Sequence, residues 1–527
     1  MDSIILTDST ETANEVKEDG DIETLRKKHL VRGLSSFINL NLTCYLAASL
    51  QCLLATDALV AYIRGTGKHG KYKYYVKNMV VKKLADVEKS KGKNGKITIS
   101  SKDVRKAFRE TLAYDLRKLI VVAWGANCKI KPVALKKKII KLNDLFTENA
   151  QNDAQECINF ILDRFHEETK SDVVIELRNV PEQILEYNKI KNKYTELIND
   201  NDIQLEEKNN ILTKYREYKT LHLKEDAGLN ALEYWQKFIR KNHSAIVDLF
   251  YGLELSSVKC NVCNNVSFTH TSFASIAVHI PNNQQQKPTN RYYNNHNNNW
   301  NKWKNNWQTH HIQNSSDQEN TVENTNESEN KNTLEEKEEL TLYECLNATL
   351  NVSELLSGDE KYNCETCMEK RDCIKTMTLW HCPPRLILHL KRFINIPIGN
   401  TYHVRLEKVS KKVNFPITGL VLKDYMSEYV NDESIYDLYA VVHQSGSLGG
   451  GHYIAFTKNI INGQWYKYND EKIRRIPPED IEKDIVTNDA YVLFYEKRAN
   501  NEQISDISDD SDESDDSNEY KTESTES

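Results

Sequence analysis

Residues 39–54 read NLNLTCYLAASLQCLL. Leu46, Leu50, Leu53 and Leu54 recur at three- and four-residue spacing, which predicts a helix from Thr43 to about Tyr62. Thr43 is a candidate N-cap. Cys44 then stands at the helix start, where unpaired backbone N–H groups and the positive end of the helix dipole favour the thiolate, the nucleophilic form of cysteine. A cysteine taken alone is far more often a buried structural residue, and Cys52, eight residues on, suits that reading. Cys44 therefore needs partners elsewhere in the chain before it counts as a nucleophile.

Working outward, residues 66–100 are rich in Lys and Gly and read as a loop. Amphipathic helices are predicted over 103–120 and 153–166, the second with Ala154, Cys157, Ile158, Ile161, Leu162 and Phe165 on one face. Residues 182–220, rich in Glu, Lys, Tyr and Leu, read as an inserted helical hairpin. The texture changes at Ile246. Short alternating runs follow: Val266-Ser267-Phe268-Thr269, then 386–390, 436–443, 452–458, 464–468 and 490–495. Helices first and strands afterwards give an α+β fold, not alternating βαβ units.

The 527 residues are 39% hydrophobic and 28% charged, enough for a sizeable core beside much solvated sequence. The net charge of -7 is uneven, because residues 501–527 hold eleven acidic residues and one lysine. The remainder is close to neutral, so overall acidity says little about a substrate. Residues 1–30, the Asn-rich stretch 281–337 and the acidic tail 499–527 read as disordered. Patterns such as Ser508-Asp509-Asp510 in the tail suit an acidophilic kinase. Eleven cysteines, an odd number, argue against a disulfide framework. With no signal-peptide pattern and no apolar run long enough for a membrane helix, the sequence reads as a soluble intracellular protein of cytoplasm or nucleus.

His452 lies in SGSLGGGHYIAF, at the mouth of a predicted strand, where it can serve as a general base. Asn469 lies in QWYKYNDEKI, after the next strand. If the two strands pair, an amide or carboxylate there fixes the imidazole tautomer; Asp470 is the rival for that role. Asn39, five residues before Cys44, can donate to an oxyanion. Cys260-x-x-Cys263 and Cys364-x-x-Cys367 offer four thiolates, the usual supply for a tetrahedral structural zinc.

Taken together these segments resemble the ubiquitin-specific protease family over most of residues 32–496, in the family's order. GLSSFINLNLTCYLAASLQCLL resembles its cysteine box and QNDAQECINFILDRF its Gln-Asp-Ala-His-Glu segment. YNCETCMEKRDCIKTMTLWHCPPRLILHLKRF resembles its second zinc knuckle and the following strand; YDLYAVVHQSGSLGGGHYIAFTK and WYKYND resemble its histidine box. The resemblance implies a papain-like core over 31–498 with thumb, palm and zinc-bearing fingers, carrying a helical insertion at about 170–225. It implies cleavage after the C-terminal glycine of ubiquitin, with Cys44 as nucleophile, His452 as base, Asn469 as orienter and Asn39 at the oxyanion. Asp153 and Glu156 would hold ubiquitin's basic tail, and Tyr453 would line the diglycine channel. Cys260, Cys263, Cys364 and Cys367 would bind structural zinc, with no cofactor in the chemistry. The implied partners are ubiquitin, polyubiquitin and ubiquitinated proteins, met by a monomer with no nucleic acid or membrane.

Three departures stand out. Asn41 and Leu42 replace the glycine and second asparagine of Asn-Leu-Gly-Asn-Thr-Cys, Gln155 stands where histidine is common, and His443-Gln444 replaces Asn-His. Rival readings are a catalytically weak ubiquitin binder, a protease for a ubiquitin-like modifier, and a zinc-ribbon nucleic-acid binder supported by the basic stretch 68–142.

Overall fold

The computed structural model describes residues 32–65, 72–90, 99–175, 179–281, 339–350, 352–397, 404–447 and 450–498. The expected disordered segments 1–30, 281–337 (all but its first residue) and 499–527 lie outside the described residues.

Helices dominate as far as Phe250 and strands thereafter. The helix Cys44–Leu54 is buried on every side, as a helix apolar all round must be. The single helix expected to Tyr62 is two, Cys44–Leu54 and Asp57–Arg64, bent by 87°. The break falls where the Thr56 hydroxyl bonds to Cys52 O and to the Tyr439 hydroxyl. The helix expected over 103–120 is likewise two, Ser101–Arg109 and Leu112–Ala126, because Thr111 caps the second by accepting from Tyr114 N–H. Buried Glu168 accepts from Leu112 and Ala113 N–H at that same helix start, and Arg164 balances its charge.

The loop reading of 66–100 fails at its centre, where Tyr72–Ser90 is a helix. Val76 and Val80, four apart and buried, form an apolar stripe that the surrounding lysines obscured. The helical insertion is a hairpin, Glu182–Asn199 and Leu205–Leu221, followed by Leu223–Asn242, so helix continues past the expected boundary near 225. Its tyrosines interleave, with Tyr187 stacked on Tyr218 and Tyr194 against Tyr215.

An eight-stranded sheet follows the order 472–475, 465–469, 450–458, 435–447, 490–497, 385–391, 276–279, with Leu420–Val421 also pairing onto Ile435–Ser447. All pairings are antiparallel except that of Ile276–His279 with Arg385–Lys391. Alternate residues serve opposite faces, as the strand period of two requires. Val442, Val492 and Phe494 join the core beneath the helices, while Val441, Leu493 and Tyr495 fill a second core on the other side. A separate four-stranded sheet of 266–273, 252–260, 373–381 and 354–356 extends from this body. The Cys44 helix packs against Gly450–Lys458 and against Ala154–Thr169, so its first residue meets the start of a strand in the large sheet.

Candidate active site

The loop before Cys44 is fixed by its own side chains. Asn39 Oδ1 accepts from the Thr43 backbone N–H at 3.0 Å and from the Thr43 hydroxyl at 3.1 Å. Leu40 N–H donates to Thr43 Oγ1 at 2.7 Å. Thr43 holds the N-cap position but makes no cap bond to the helix, because its hydroxyl is committed to this loop. Asn41 and Leu42 both adopt left-handed backbone, φ 60° and 50°. Asparagine tolerates that region; for leucine it costs about 1–2 kcal/mol.

Strands Gly450–Lys458 and Trp465–Asn469 form the expected hairpin, with Ala455 opposite Tyr468. It brings Asn469 Oδ1 to 2.7 Å from His452 Nε2. Nε2 therefore carries the proton it donates to Asn469, and Nδ1 is left for the Cys44 thiol. The Cys44 sulfur is the largest influence on the ring; partial burial opposes it, and Asn469 reinforces it. The imidazole is pushed up to about 9. Cys52, by contrast, is fully buried and burial alone drives its thiol far upward, out of reactive range.

Asp470 does not hold the histidine. It turns away at φ 52°, and its Oδ2 accepts from Asn39 Nδ2 at 3.1 Å. Its Oδ1 is buried without a hydrogen-bond partner. Burial raises the Asp470 carboxyl, while Asn39 and the charge of His452 pull it down.

The acidic pair at the second helix divides its labour. Asp153 caps Ala154–Thr169, with Oδ1 accepting from Gln155 N–H at 2.7 Å and Glu156 N–H at 3.2 Å. Its Oδ2 accepts from the Tyr453 hydroxyl at 3.3 Å and the Tyr491 hydroxyl at 2.5 Å. Every bond of that carboxylate is internal; Asp153 is half-buried and Glu156 exposed. Glu156 is pushed up to about 7, first by the protein walls around it and then by the charge of Asp153. Tyr453 is buried, its hydroxyl on Asp153.

Two residues were not singled out from sequence. Gln151 makes two bonds to the residue preceding the histidine: Nε2 donates to Gly451 O at 2.7 Å, and Oε1 accepts from Gly451 N–H at 2.9 Å. Tyr491 anchors Asp153. Gln151 lies inside the quoted QNDAQE segment, two residues before Asp153, and that was its only sequence signal. Tyr491 had none.

Cys260, Cys263, Cys364 and Cys367 converge at the tip of the four-stranded sheet, all four Sγ atoms within 4.8 Å of one another. The two closest cross-pairs are 4.0 Å (Cys260–Cys367) and 3.5 Å (Cys263–Cys364). Zn–S bonds of about 2.3 Å in a tetrahedron put sulfurs about 3.8 Å apart, so the group fits that ion. The two knuckles match: each has an N–H to Sγ contact, Val262 to Cys260 and Cys367 to Cys364. Each is followed by a left-handed residue, Asn264 at 56° and Met368 at 58°.

Residues 35–495 match the family model described as ubiquitin carboxyl-terminal hydrolase. Among curated relatives, ubiquitin carboxyl-terminal hydrolase Usp2 of Drosophila melanogaster is 24% identical over 469 residues, covering 88% of this chain and 35% of that protein. Ubiquitin carboxyl-terminal hydrolase 2 of Bos taurus is 25% identical over 476 residues, 90% of this chain and 56% of its own length. A probable ubiquitin carboxyl-terminal hydrolase of Acanthamoeba polyphaga mimivirus is 23% identical over 489 residues, 88% of this chain and 90% of its own. The chain thus spans about half or less of the first two relatives. Among solved structures, the SAGA DUB module bound to ubiquitin aldehyde aligns with a TM-score of 0.48 at 20% identity, covering 89% of this chain and 70% of that one.

Proposed function

The chain belongs to the ubiquitin carboxyl-terminal hydrolase family, and we propose that it is a deubiquitinating cysteine protease that hydrolyses the bond at the C-terminal glycine of conjugated ubiquitin. One observation carries this reading: a histidine held at 2.7 Å through Nε2 by an asparagine oxygen has a cysteine at a helix start as the strongest influence on its ring.

The Cys44 thiolate attacks the glycine carbonyl carbon of an isopeptide bond. Charge developing on the carbonyl oxygen meets the Asn39 side-chain amide and the Cys44 backbone N–H, which has no acceptor within its helix. Nδ1 of the His452 imidazolium gives its proton to the departing lysine amine, leaving a thioester on Cys44. The now neutral His452 takes a proton from water, whose oxygen attacks the thioester, and the ubiquitin carboxylate and the Cys44 thiol are released. Glu156 receives the basic tail of ubiquitin, since a carboxylate open to solvent can accept bidentate arginine. Asp153 holds Tyr453 and the helix start in place, with Tyr453 lining the channel. The four knuckle cysteines hold structural zinc, which takes no part in the chemistry.

All eleven cysteines are unbridged, and no single helix among the described residues is long and apolar enough to cross a membrane. The setting proposed for this activity is a reducing intracellular compartment, with the chain acting as a monomer on ubiquitin conjugates. A ubiquitin C-terminal fluorogenic amide tests the reading. Wild type should cleave it and Cys44→Ala should not, and a ubiquitin-vinyl electrophile should label Cys44. Wild-type-like cleavage by Cys44→Ala would end the assignment; ubiquitin binding without labelling would make the protein a silent binder.

A further inference from the structure

The helix Ser101–Arg109 carries Lys102, Arg105, Lys106 and Arg109 at positions i, i+3, i+4 and i+7, which is one face. All four are exposed. Val104, Ala107 and Phe108 occupy the other side and pack on the helical core. The adjoining helix Tyr72–Ser90, in contact with it, adds exposed Lys73, Lys77, Lys83 and Lys89. Other lysines nearby have acids: Lys82 has Asp172, and Lys138 and Lys141 share Glu110. None of these eight cations is paired with an acid among the described residues. The four on Ser101–Arg109 lie within two turns, where like charges repel one another, and an anion laid across them would relieve that repulsion.

The complementary charge is on the same chain. Residues 506–516 contain seven acidic residues and no cation. The last strand, Ala490–Lys497, ends on the helical side of the molecule: Arg385 bridges Glu496 at 3.2 Å and Asp57 at 2.6 Å. The helix Asp57–Arg64 that starts there leads along the chain to the basic helix Tyr72–Ser90, and its eight residues span only about 12 Å. A random coil of 29 residues, the number from 499 to 527, has a root-mean-square reach of about 30 Å. A covalent tether able to span two sites gives an effective concentration of about millimolar.

We propose that the basic face of helix Ser101–Arg109, with the adjoining Lys73 and Lys77 of Tyr72–Ser90, is the docking surface of the chain's own acidic tail, residues 501–527. The contact is between exposed charges, so it weakens as salt shortens the screening length. Phosphate on Ser508 or Ser511 adds charge of the attracted sign and tightens it.

Zero-length carbodiimide cross-linking of the full chain, read by peptide mass spectrometry, tests this. At low salt, Lys102, Lys106, Lys73 and Lys77 should join to acids of 506–516. All of these products should fall at least fivefold in 0.5 M sodium chloride, and those of Lys73 and Lys77, which the variant keeps, should fall at least fivefold in full-length K102E/R105E/K106E/R109E. Cross-links absent, insensitive to the variant, or spread equally over lysines of the 182–221 hairpin would overturn the proposal. So would binding of a labelled single-stranded RNA through the same four residues with no tail cross-links, which would give the face to nucleic acid. The readout involves no catalysis, so it stands or falls apart from the proposed reaction.

Discussion

Asn39 and Asp470, 431 residues apart in sequence, share a hydrogen bond of 3.1 Å from the asparagine amide to the carboxylate. Thr43 holds the other end of the Asn39 side chain, so the amide plane is set from both sides. One N–H of Nδ2 is committed to Asp470 and the second is available to an oxyanion. Asn39→Ala should lower kcat on a ubiquitin amide about 100-fold with KM little changed, as loss of an oxyanion donor does. Asp470→Ala should cost about tenfold, because it loosens the donor without removing it. Since Asp470 acts through Asn39, the double variant should be no slower than Asn39→Ala. Additive losses in the double variant would separate the two residues.

The pH dependence follows from His452. The Cys44 sulfur is the main influence that pushes the imidazole up to about 9, so the ring stays protonated through neutral pH and loses its proton as pH rises through about 9. kcat/KM should hold through pH 8 and fall on an alkaline limb centred near 9. The sign for stability is the same. The pair contributes fully below the ordinary histidine value of about 6.5 and its contribution disappears as pH rises through about 9. Asn469→Ala removes a second bond that raises the ring and should shift the alkaline limb to lower pH. A limb that stays near 9 in that variant would detach Asn469 from the imidazole.

Much of this site was legible from local pattern. Cys44, His452, Asn469 and the four zinc-type cysteines each lie in a short segment whose spacing carries meaning, and the hairpin of 450–469 follows from two alternating runs. What escaped depended on pairing between distant segments. Asp470 was a rival for the histidine until the left-handed turn at φ 52° aimed it at Asn39 instead. Asp153 was expected to read basic residues, and the bonds it also accepts from a helix start and two tyrosines come from segments far apart in the chain. The Tyr72–Ser90 helix was hidden because lysines outnumber the two buried valines that hold it. The strain at Leu42 could be foreseen only as a missing polar group, since φ is not written in a residue's identity.

Zinc should be present at one ion per chain and should matter for folding, not for chemistry. The knuckle sulfurs converge at the end of the sheet built from 252–260, 266–273 and 373–381. Without a metal they have little else to hold them, and structural zinc supplies folding free energy directly. Cys364→Ser should lower zinc content on metal analysis and lower Tm, with proteolytic cleavage appearing first within 252–273 and 354–381. Zinc-free protein with unchanged Tm and protease resistance would remove the ion from the account.

Gln151 presents its carboxamide to Gly451 as a peptide group would, donating to the carbonyl at 2.7 Å and accepting from the N–H at 2.9 Å. Gly451 is the residue before His452, and a Cβ there would lie 2.2 Å from Gln444 Nε2 and 2.7 Å from Ser445 O, so the backbone at this point has no room to be rebuilt. Gln151, just before the N-terminal end of Ala154–Thr169, thus ties this backbone to the helical half, beside the Tyr453–Asp153 hydrogen bond. Removing it leaves the hairpin attached to the sheet but frees the position of the imidazole relative to the thiol. A misplacement of about 1 Å costs about 100-fold in rate. Gln151→Ala should accordingly lower kcat by about 10- to 100-fold, leave ubiquitin affinity within about twofold, and move the alkaline limb of the pH profile below 9, because a looser histidine loses part of its bond to Cys44. Gln151→Glu should be a poorer rescue than its shape suggests. It keeps an acceptor for Gly451 N–H but, when ionised, sets a carboxylate against the Gly451 carbonyl. If Gln151→Ala instead raises KM alone and leaves the pH profile where it was, the residue serves substrate binding and not the placement of His452.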